Sequence, residues 1–280
     1  MLKIGCCSDL HTEFGGYFKH SPEDGGDVLI LAGDITTAWA LASHRTDAEG
    51  RSQRKNFSKL NKELLSNFNK VYMVLGNHEH YHSIFRKTKA SLQKSFNDLN
   101  INIHILDNDK DVIDDVLFVG TTLWADFEKG NPVSMANCEF GLNDFRIIGM
   151  LDVEDLNYFN RHKSRAINAE FILQEHINSV KYLELIFSQN KNEKTVVITH
   201  HGPTYKSLHR EHVGNGLDGI YASDLSQTIL DNPQIKYWVS GHTHFPQKYT
   251  VGETVCLSNP RGYRGERSHK EYSGIKYFEV

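Results

Sequence analysis

The chain has 280 residues, and its 35 acidic and 31 basic side chains leave a formal net charge of −4. This small negative charge excludes a general electrostatic attraction to nucleic acid, but it does not exclude a local basic cleft. Hydrophobic residues make up 39% of the chain, so the core can be large and neither disulfides nor a structural metal are needed to hold the fold.

Predicted strands and helices alternate in the first part of the chain. Near-continuous apolar runs predict strands buried on both faces at 3–8 and 27–32. Apolar residues spaced at helical intervals predict an amphipathic helix over 52–68. The elements predicted next are a strand at 71–75, a helix at 83–98 and a strand at 102–106. This alternation is typical of βαβ units around a central sheet.

The second part of the chain adds strands, one long helix and two long loops. We predict β-structure over 111–123, and the segment 124–164 reads as a polar, irregular excursion over one end of the sheet. The elements predicted after it are a helix at 165–188, a strand at 195–199, a loop at 202–222, a helix at about 224–231 that Ser223 or Asp224 could cap, and strands at 236–239, 246–251, 253–258 and 274–279. Without an internal repeat or a linker, we predict one domain over 1–280, with insert loops at 124–164 and 202–222.

The cysteines indicate a reducing environment. Cys6 and Cys7 are neighbours in a predicted buried strand, so their side chains should point to opposite faces and cannot readily bridge. Free thiols in a core suit the cytoplasm. A strand follows the first residues directly, with no signal peptide before it, and no apolar stretch is long enough to cross a membrane. We therefore expect a cytoplasmic protein without a membrane partner.

Five short polar clusters stand at the ends of predicted strands. They are Asp9-Leu10-His11, Gly33-Asp34, Gly76-Asn77-His78-Glu79, His200-His201 and Gly241-His242-Thr243-His244. Each of them alone is also typical of a turn, a cap or a surface histidine. Together, carboxylate, amide and imidazole groups at successive strand ends can converge on two adjacent divalent metals. Such mixed ligands fit Mn²⁺, our first choice, or Fe, Zn²⁺, Co²⁺ or Ni²⁺, rather than a thiolate site or a calcium cage.

The order of these clusters resembles the calcineurin-like metallophosphoesterase superfamily, and the resemblance runs from Asp9 to His244. It implies an α/β fold, a four-layer α/β/β/α sandwich of two mixed β-sheets flanked by helices. Flanking motifs such as Asn143-Asp144-Phe145-Arg146 and Asn259-Pro260-Arg261-Gly262-Tyr263 are similar to an uncharacterised bacterial and phage branch. The chain departs from the phosphoprotein phosphatases, since Thr12 stands where those have glycine and no Arg-Gly follows Asp34.

The resemblance implies a role for each matched residue. The ligands implied for the first metal are Asp9, His11 and His244, those for the second metal are Asn77, His200 and His242, and the carboxylate of Asp34 would bridge the two. His200 is preferred to His201 as the ligand because it comes first after the predicted strand. His78 is expected to face the substrate, as a general acid or a phosphate contact, rather than to bind metal.

Several further residues are candidates for the surroundings of the metals. We predict substrate contacts at Arg146, Arg261, His201 and Tyr81. Either guanidinium group could grip a phosphate with two hydrogen bonds, or it could form a structural ion pair. Tyr81, Trp124 and Tyr263 could stack on a base or simply pack near the site. Glu79 could orient a ligand histidine or begin a helix.

These features predict an enzyme that hydrolyses phosphate esters with two divalent metals. A hydroxide bridging the metals would attack the ester in line, and His78 would protonate the leaving group. The expected substrate is a small phosphomonoester, phosphodiester or nucleotide. One alternative is a nuclease or a phosphatase that processes nucleic-acid ends, which the acidic net charge disfavours. Another is a scaffold without catalysis, which the intact ligand set and His78 disfavour. The oligomeric state stays open.

Overall fold

The computed structural model describes residues 1–15, 19–21, 23–150, 166–191, 194–210, 213–214 and 216–280. The strands are β1 Lys3–Cys7, β2 Gly26–Ala32, β3 Phe68–Val74, β4 His104–Ile105, β5 Asp109–Ile113, β6 Val116–Thr121, β7 Lys194–Thr199, β8 Ile235–Ser240, β9 Gln247–Val251, β10 Thr254–Ser258 and β11 Lys276–Glu279. The helices are α1 Ala38–Leu41, α2 Ala48–Glu63, α3 Thr88–Asp98, α4 Phe127–Gly130, α5 Pro132–Gly141, α6 Asp144–Ile147, α7 Ala169–Gln189, α8 Asp218–Tyr221, α9 Ser226–Leu230 and α10 Arg267–Glu271. Short 3₁₀ turns lie at Thr12–Phe14, Leu65–Asn67, His78–His80, Phe85–Lys87 and Tyr205–Ser207.

The strands form two mixed sheets. Within the described residues, the first sheet has the order β11-β1-β2-β3-β4 and the second has the order β5-β6-β7-β8-β10-β9. β1 to β4 are parallel, and β11 pairs antiparallel with β1. In the second sheet β6, β7, β8 and β10 are parallel, while β5 and β9 are antiparallel edge strands.

Apolar clusters hold the layers together. One cluster fills the space between the sheets with side chains from both, among them Ile30, Val74, Phe118 and Ile198. The outer face of the first sheet packs against α2 and α3, where the rings of Phe57 and Phe96 stack with centroids 5.5 Å apart. The outer face of the second sheet packs against α7 through Phe187 and Trp238. The predicted α/β/β/α order is confirmed.

The two neighbouring cysteines lie on opposite faces of β1, as predicted. Cys6 belongs to the cluster between the sheets, and Cys7 belongs to the cluster under α2 and α3. The four cysteines of the chain are free and buried. Within the described residues, no helix is both long enough and apolar enough to cross a membrane.

The helix predicted over 52–68 begins and ends earlier, as α2. It begins at Ala48 because the side chain of Asp47 accepts a hydrogen bond from the backbone N–H of Gly50, at 2.7 Å. Phe68 extends the helical spacing in the sequence, but in the structure it is the first residue of β3 and packs into the outer core from there. The apolar side chain of Phe68 therefore fitted both the helical spacing and the start of a strand.

The segment predicted as an irregular excursion contains short helices in its described part, 124–150. α5 begins where the side chain of Asn131 accepts a hydrogen bond from the N–H of Val133, at 2.9 Å, with Pro132 in the first turn. Buried residues of this segment, including Trp124, Phe127 and Cys138, pack against the start of α7. The prediction for 151–164 falls outside the described residues.

Candidate metal centre

The polar clusters meet because the parallel strands of both sheets end at the same side of the molecule. Backbone hydrogen bonds join the loops that follow these strands. The N–H of Asp9 donates to the carbonyl oxygen of Gly33 at 3.0 Å, and the N–H of Gly241 donates to that of His200 at 2.9 Å. The N–H of His242 donates to Oδ1 of Asp9 at 3.0 Å, which joins the two sheets.

Five of the predicted ligands adopt a left-handed backbone conformation. The φ angles are 53° at Asp9, 45° at His11, 56° at Asp34, 67° at His242 and 48° at His244. This region is unfavourable for residues other than glycine, and it persists only where the surrounding structure imposes it. Such strain concentrates at functional sites, and here it aims five side chains at one place.

Two glycines allow the loops to approach so closely. A Cβ atom at Gly76 would overlap Oδ1 of Asp34, and a Cβ atom at Gly33, where φ is 83°, would overlap Nδ1 of His200. Any other residue at either position would push the predicted ligands apart.

Asp9, His11 and His244 form the first group of metal-binding atoms, which lie within 4.8 Å of one another. Nε2 of His244 lies 3.1 Å from Nε2 of His11 and 3.4 Å from Oδ1 of Asp9. Three donor atoms that face one point at these distances suit a shared cation.

Asp34, His200 and His242 form the second group, with donor atoms again within 4.8 Å. Nδ1 of His200 lies 2.9 Å from the carbonyl oxygen of Ala32, so Nδ1 donates this hydrogen bond and Nε2 faces the second group. This Nε2 lies 3.4 Å from Oδ1 of Asp34 and 3.2 Å from Oδ1 of Asn77. Nε2 of His242 is buried without a hydrogen-bond partner among the described residues, as expected of a nitrogen that binds a metal.

Asp34 lies between the two groups. Its Oδ2 is 3.9 Å from Nε2 of His11, and its Oδ1 is 3.4 Å from Nε2 of His200. Burial by itself would raise the pKa of Asp34, but the imidazoles of His200 and His78 hold this pKa well below its usual range. The residues present therefore fit a pair of divalent cations that share one carboxylate.

His78 lies beside both groups, with each ring nitrogen bound. Its Nδ1 is 2.9 Å from Oε1 of Glu13, and its Nε2 is 2.7 Å from the hydroxyl of Tyr263. Burial lowers the pKa of His78, but the charges of Asp34 and Glu13 outweigh burial and raise it. The protonated ring, which can donate a proton, is thereby favoured.

Three carboxylates that were not predicted as site residues contact predicted site residues. Glu13 lies 3.3 Å from Nδ1 of His11 as well as beside His78. Glu266 lies 2.7 Å from Nδ1 of His244, and Asp144 accepts a hydrogen bond from Nδ2 of Asn77 at 2.9 Å. Carboxylates in such positions fix the orientation of metal ligands. Glu13 could have been found from its place two residues after His11, and Asp144 from its place in the flanking motif 143–146. Glu266 lies outside every motif.

Glu79 orients a loop rather than a histidine. Its carboxylate accepts hydrogen bonds from the backbone N–H groups of Asp34, Ile35, Thr36 and Gly76, at 2.6–3.2 Å. These bonds hold the turn that carries the predicted bridging carboxylate. Of the two roles considered from the sequence, the structure has the acid at a helix start, because Glu79 lies in the 3₁₀ turn His78–His80.

A cavity of about 690 Å³ opens onto the two groups, and Asp34, Asn77, His78, His242 and His244 contribute to its wall. Tyr81 and Tyr263 also line it. The hydroxyl of Tyr81 donates to Asp144 at 2.6 Å, and the ring of Tyr81 lies 4.1 Å from that of His78.

The other predicted substrate contacts are not among the described residues that line this cavity. Arg146 is exposed and its guanidinium group donates to the carbonyl oxygen of Phe140. Arg261 is buried and donates to the carbonyl oxygen of Leu10 at 2.6 Å, which ties it to the loop after β1. His201 is buried behind His242, with ring centroids 4.1 Å apart. Trp124 is buried against His201, in the packing role considered for it.

Comparison with known proteins agrees with this geometry. The sequence profile of the calcineurin-like phosphoesterases matches residues 2–246. The chain belongs to the calcineurin-like phosphoesterase family. As a member of this family with the family's fold, it is a metal-dependent phosphoric ester hydrolase.

Individual relatives of this phosphoesterase are distant. An uncharacterized protein of Acanthamoeba polyphaga mimivirus, L509, is 26% identical over 98% of this chain and 95% of its own length. Phosphopantetheinyl hydrolase from Mycobacterium tuberculosis superposes with a TM-score of 0.63 at 17% identity, over 99% of this chain and 95% of its own. A dimetal phosphatase from Danio rerio superposes with a TM-score of 0.51 at 13% identity, over 95% of this chain and 89% of its own. At these identities the two structures show a shared fold.

Proposed function

We propose that this phosphoesterase hydrolyses small phosphate esters with two divalent metal ions, Mn²⁺ being the first choice. The observation that carries the proposal is the position of the Asp34 carboxylate, whose two oxygens face different ligand groups. Asp9, His11 and His244 would hold one ion, and Asn77, His200 and His242 the other. When bound, such a pair neutralises charge on the phosphate and provides water of lowered pKa as the nucleophile.

The protein's own residues would complete the reaction. His78 would donate the proton from Nε2, beside the hydroxyl of Tyr263 at the cavity wall, to the oxygen of the leaving group. Glu13 holds the opposite ring nitrogen and so keeps the imidazole in one orientation. Because a general acid is most effective when it is protonated at the working pH, the raised pKa of His78 supports this role.

The expected substrate is a small phosphate ester or a nucleotide. A cavity of about 690 Å³ is of the size that binds small molecules. The relative from Mycobacterium tuberculosis is a phosphopantetheinyl hydrolase, so phosphopantetheinyl compounds are reasonable natural substrates to test. The free, buried cysteines support action in the cytoplasm, and we propose that the whole chain acts as one domain.

The proposal is tested by comparing the hydrolysis of p-nitrophenyl phosphate with that of bis-p-nitrophenyl phosphate, using protein loaded with Mn²⁺. We expect turnover of at least one ester, loss of turnover when a chelator removes the metal, and recovery when Mn²⁺ is restored. Asp34→Asn should abolish turnover, whereas Asp231→Asn, an exposed aspartate after α9, should not change it. Undiminished hydrolysis without metal would contradict the proposal.

A further inference from the structure

The side-chain amide of Asn77 ends in an oxygen and an NH₂ group, and the proposed metal site needs the oxygen. Its oxygen can bind a cation, whereas its NH₂ group is a donor and cannot. In the structure Oδ1 points to Nε2 of His200, 3.2 Å away, on the side of the second ligand group. Nδ2 points to the opposite side, where it donates to Oδ1 of Asp144 at 2.9 Å. The hydroxyl of Tyr81 also lies near Nδ2, but farther away, at 3.3 Å. The carboxylate of Asp144 is therefore the main group that decides which end of the amide meets the metal.

Asp144 is well placed for this task. It is the first residue of α6, it is 3% exposed, and it stands 67 positions after Asn77 in the chain. The hydroxyl of Tyr81 donates to the same Oδ1 at 2.6 Å. Since both donors converge on one oxygen, that oxygen accepts hydrogen bonds whether or not the other oxygen carries a proton. A flipped amide would set its oxygen against this carboxylate oxygen and present its NH₂ group to His200.

The same carboxylate also reaches His78 through Tyr81. The hydrogen bond to Asp144 fixes the tyrosine ring, which packs on the ring of His78 with centroids 4.1 Å apart and planes 30° from parallel. Asp144 thus contacts Asn77, a proposed ligand of the second metal, and Tyr81, which packs on the proposed general acid.

We propose that Asp144 is a positioning residue that turns the amide oxygen of Asn77 toward the second metal and holds Tyr81 against His78. This inference rests on the proposed two-metal function. It also gives the segment 124–150 a role at the site, because Asp144 belongs to α6 of this segment.

The test measures metal binding directly, by titrating Mn²⁺ into the metal-free protein in a calorimeter and recording the electron paramagnetic resonance of the loaded protein. Asp144→Leu removes the acceptor at similar volume and should weaken the second binding step about 10–100-fold, as is typical when the partner of a ligand is lost. The spectrum should then change from that of a coupled Mn²⁺ pair to that of single ions. Asp144→Asn keeps an acceptor oxygen and should recover part of the affinity.

Two controls separate positioning from general damage. Tyr81→Phe keeps the 2.9 Å bond from Asn77 to Asp144 and removes only the longer contact, 3.3 Å, from Nδ2 of Asn77 to the tyrosine hydroxyl. It should therefore lower kcat and weaken the second binding step far less than Asp144→Leu does. Glu128→Gln removes an exposed acid from the same segment and should change neither. Thermal melting of each variant checks that it is folded, and the Asp144→Asn variant provides the comparison if Asp144→Leu does not fold.

The outcomes distinguish this inference from the function on which it rests. Two unchanged Mn²⁺ binding steps in both folded Asp144 variants would overturn the positioning role and leave the proposed function intact. Failure of the unmodified protein to bind a second Mn²⁺ would overturn the proposed function, and the positioning role with it.

Discussion

At the scale of the residue, His78 is bound at both ring nitrogens by groups of different character. Glu13, on one side, is a carboxylate that is only 9% exposed and whose charge favours the protonated ring. Tyr263, on the other side, is a partly exposed phenol at the cavity wall. The proton-donating edge of the imidazole is therefore the one that faces the cavity, which is where a leaving group would be.

We predict that His78→Ala lowers kcat by about 10²–10⁴-fold, the usual contribution of a general acid, without loss of bound metal. The loss should be larger for esters with poor leaving groups, because these need the proton most. Measuring kcat for a series of aryl esters, together with the metal content, tests this prediction. The matched control is His82→Asn, an exposed histidine four positions later.

The metal content decides between two roles for His78, because its ring also lies within 4.8 Å of donor atoms of His11 and Asp34. Loss of one bound ion in His78→Ala would show that this histidine is a ligand and would contradict its role as the general acid.

At the scale of the element, a single carboxylate joins the two sheets at one edge. Oδ2 of Asp111, on β5 of the second sheet, lies 2.9 Å from Nζ of Lys70 and accepts a hydrogen bond from the hydroxyl of Tyr72 at 3.0 Å. Both partners belong to β3 of the first sheet. Burial opposes ionisation, but these partners outweigh it and lower the pKa of Asp111 to about 2.

We predict that Asp111→Asn lowers the free energy of unfolding by about 1 kcal/mol at pH 7, a modest value because the side chain is partly exposed. The folded-state pKa is below the unfolded value of about 3.9, so the carboxylate stabilises the fold fully above that value. The difference between the two proteins should therefore shrink as the pH falls from about 4 toward 2.

Urea unfolding at several pH values measures this difference, with Glu184→Gln, an exposed acid on α7, as the control. A difference that grows on acidification would contradict the assignment of the lowered pKa to Asp111.

At the scale of the whole molecule, the proposed metals would join the two sheets. Asp9 and Asp34 follow strands of the first sheet, whereas His200 and His242 follow strands of the second. An ion held by residues of both sheets binds the folded chain only, because the unfolded chain does not hold these residues together. Metal binding should therefore stabilise the fold.

We predict that Mn²⁺ at about 100 times its Kd stabilises the protein by about 2.7 kcal/mol per site, which should raise Tm by several degrees. Asp34→Asn should remove most of this increase, because its carboxylate reaches both groups. Thermal melting over a series of Mn²⁺ concentrations provides the measurement. An equal increase in the Asp34→Asn variant would mean that Mn²⁺ stabilises the fold from another place.

The sequence by itself determined the alternation of strands and helices and the residues that meet at the strand ends, and its resemblance to the phosphoesterases implied the four-layer order. Near-continuous apolar runs mark buried strands, and parallel strands bring their carboxyl ends to one edge, so the polar clusters after 3–8, 27–32 and 195–199 were expected to converge. These signals are local: each is readable within a few residues. The clusters, taken together, also indicated the phosphoesterase family, which the comparison confirms.

The tertiary structure decided what surrounds those residues. The partner of His244 is Glu266, 22 positions away, and the partner of Asn77 is Asp144, 67 positions away. The tertiary structure also placed Arg261 under the loop after β1, where its guanidinium group donates to the carbonyl oxygen of Leu10. From the sequence, phosphate binding and a structural ion pair were equally open for this residue. Periodicity and spacing describe a residue's own strand or helix. They carry no information about which distant loop packs against it, because the packing of the whole chain decides that contact.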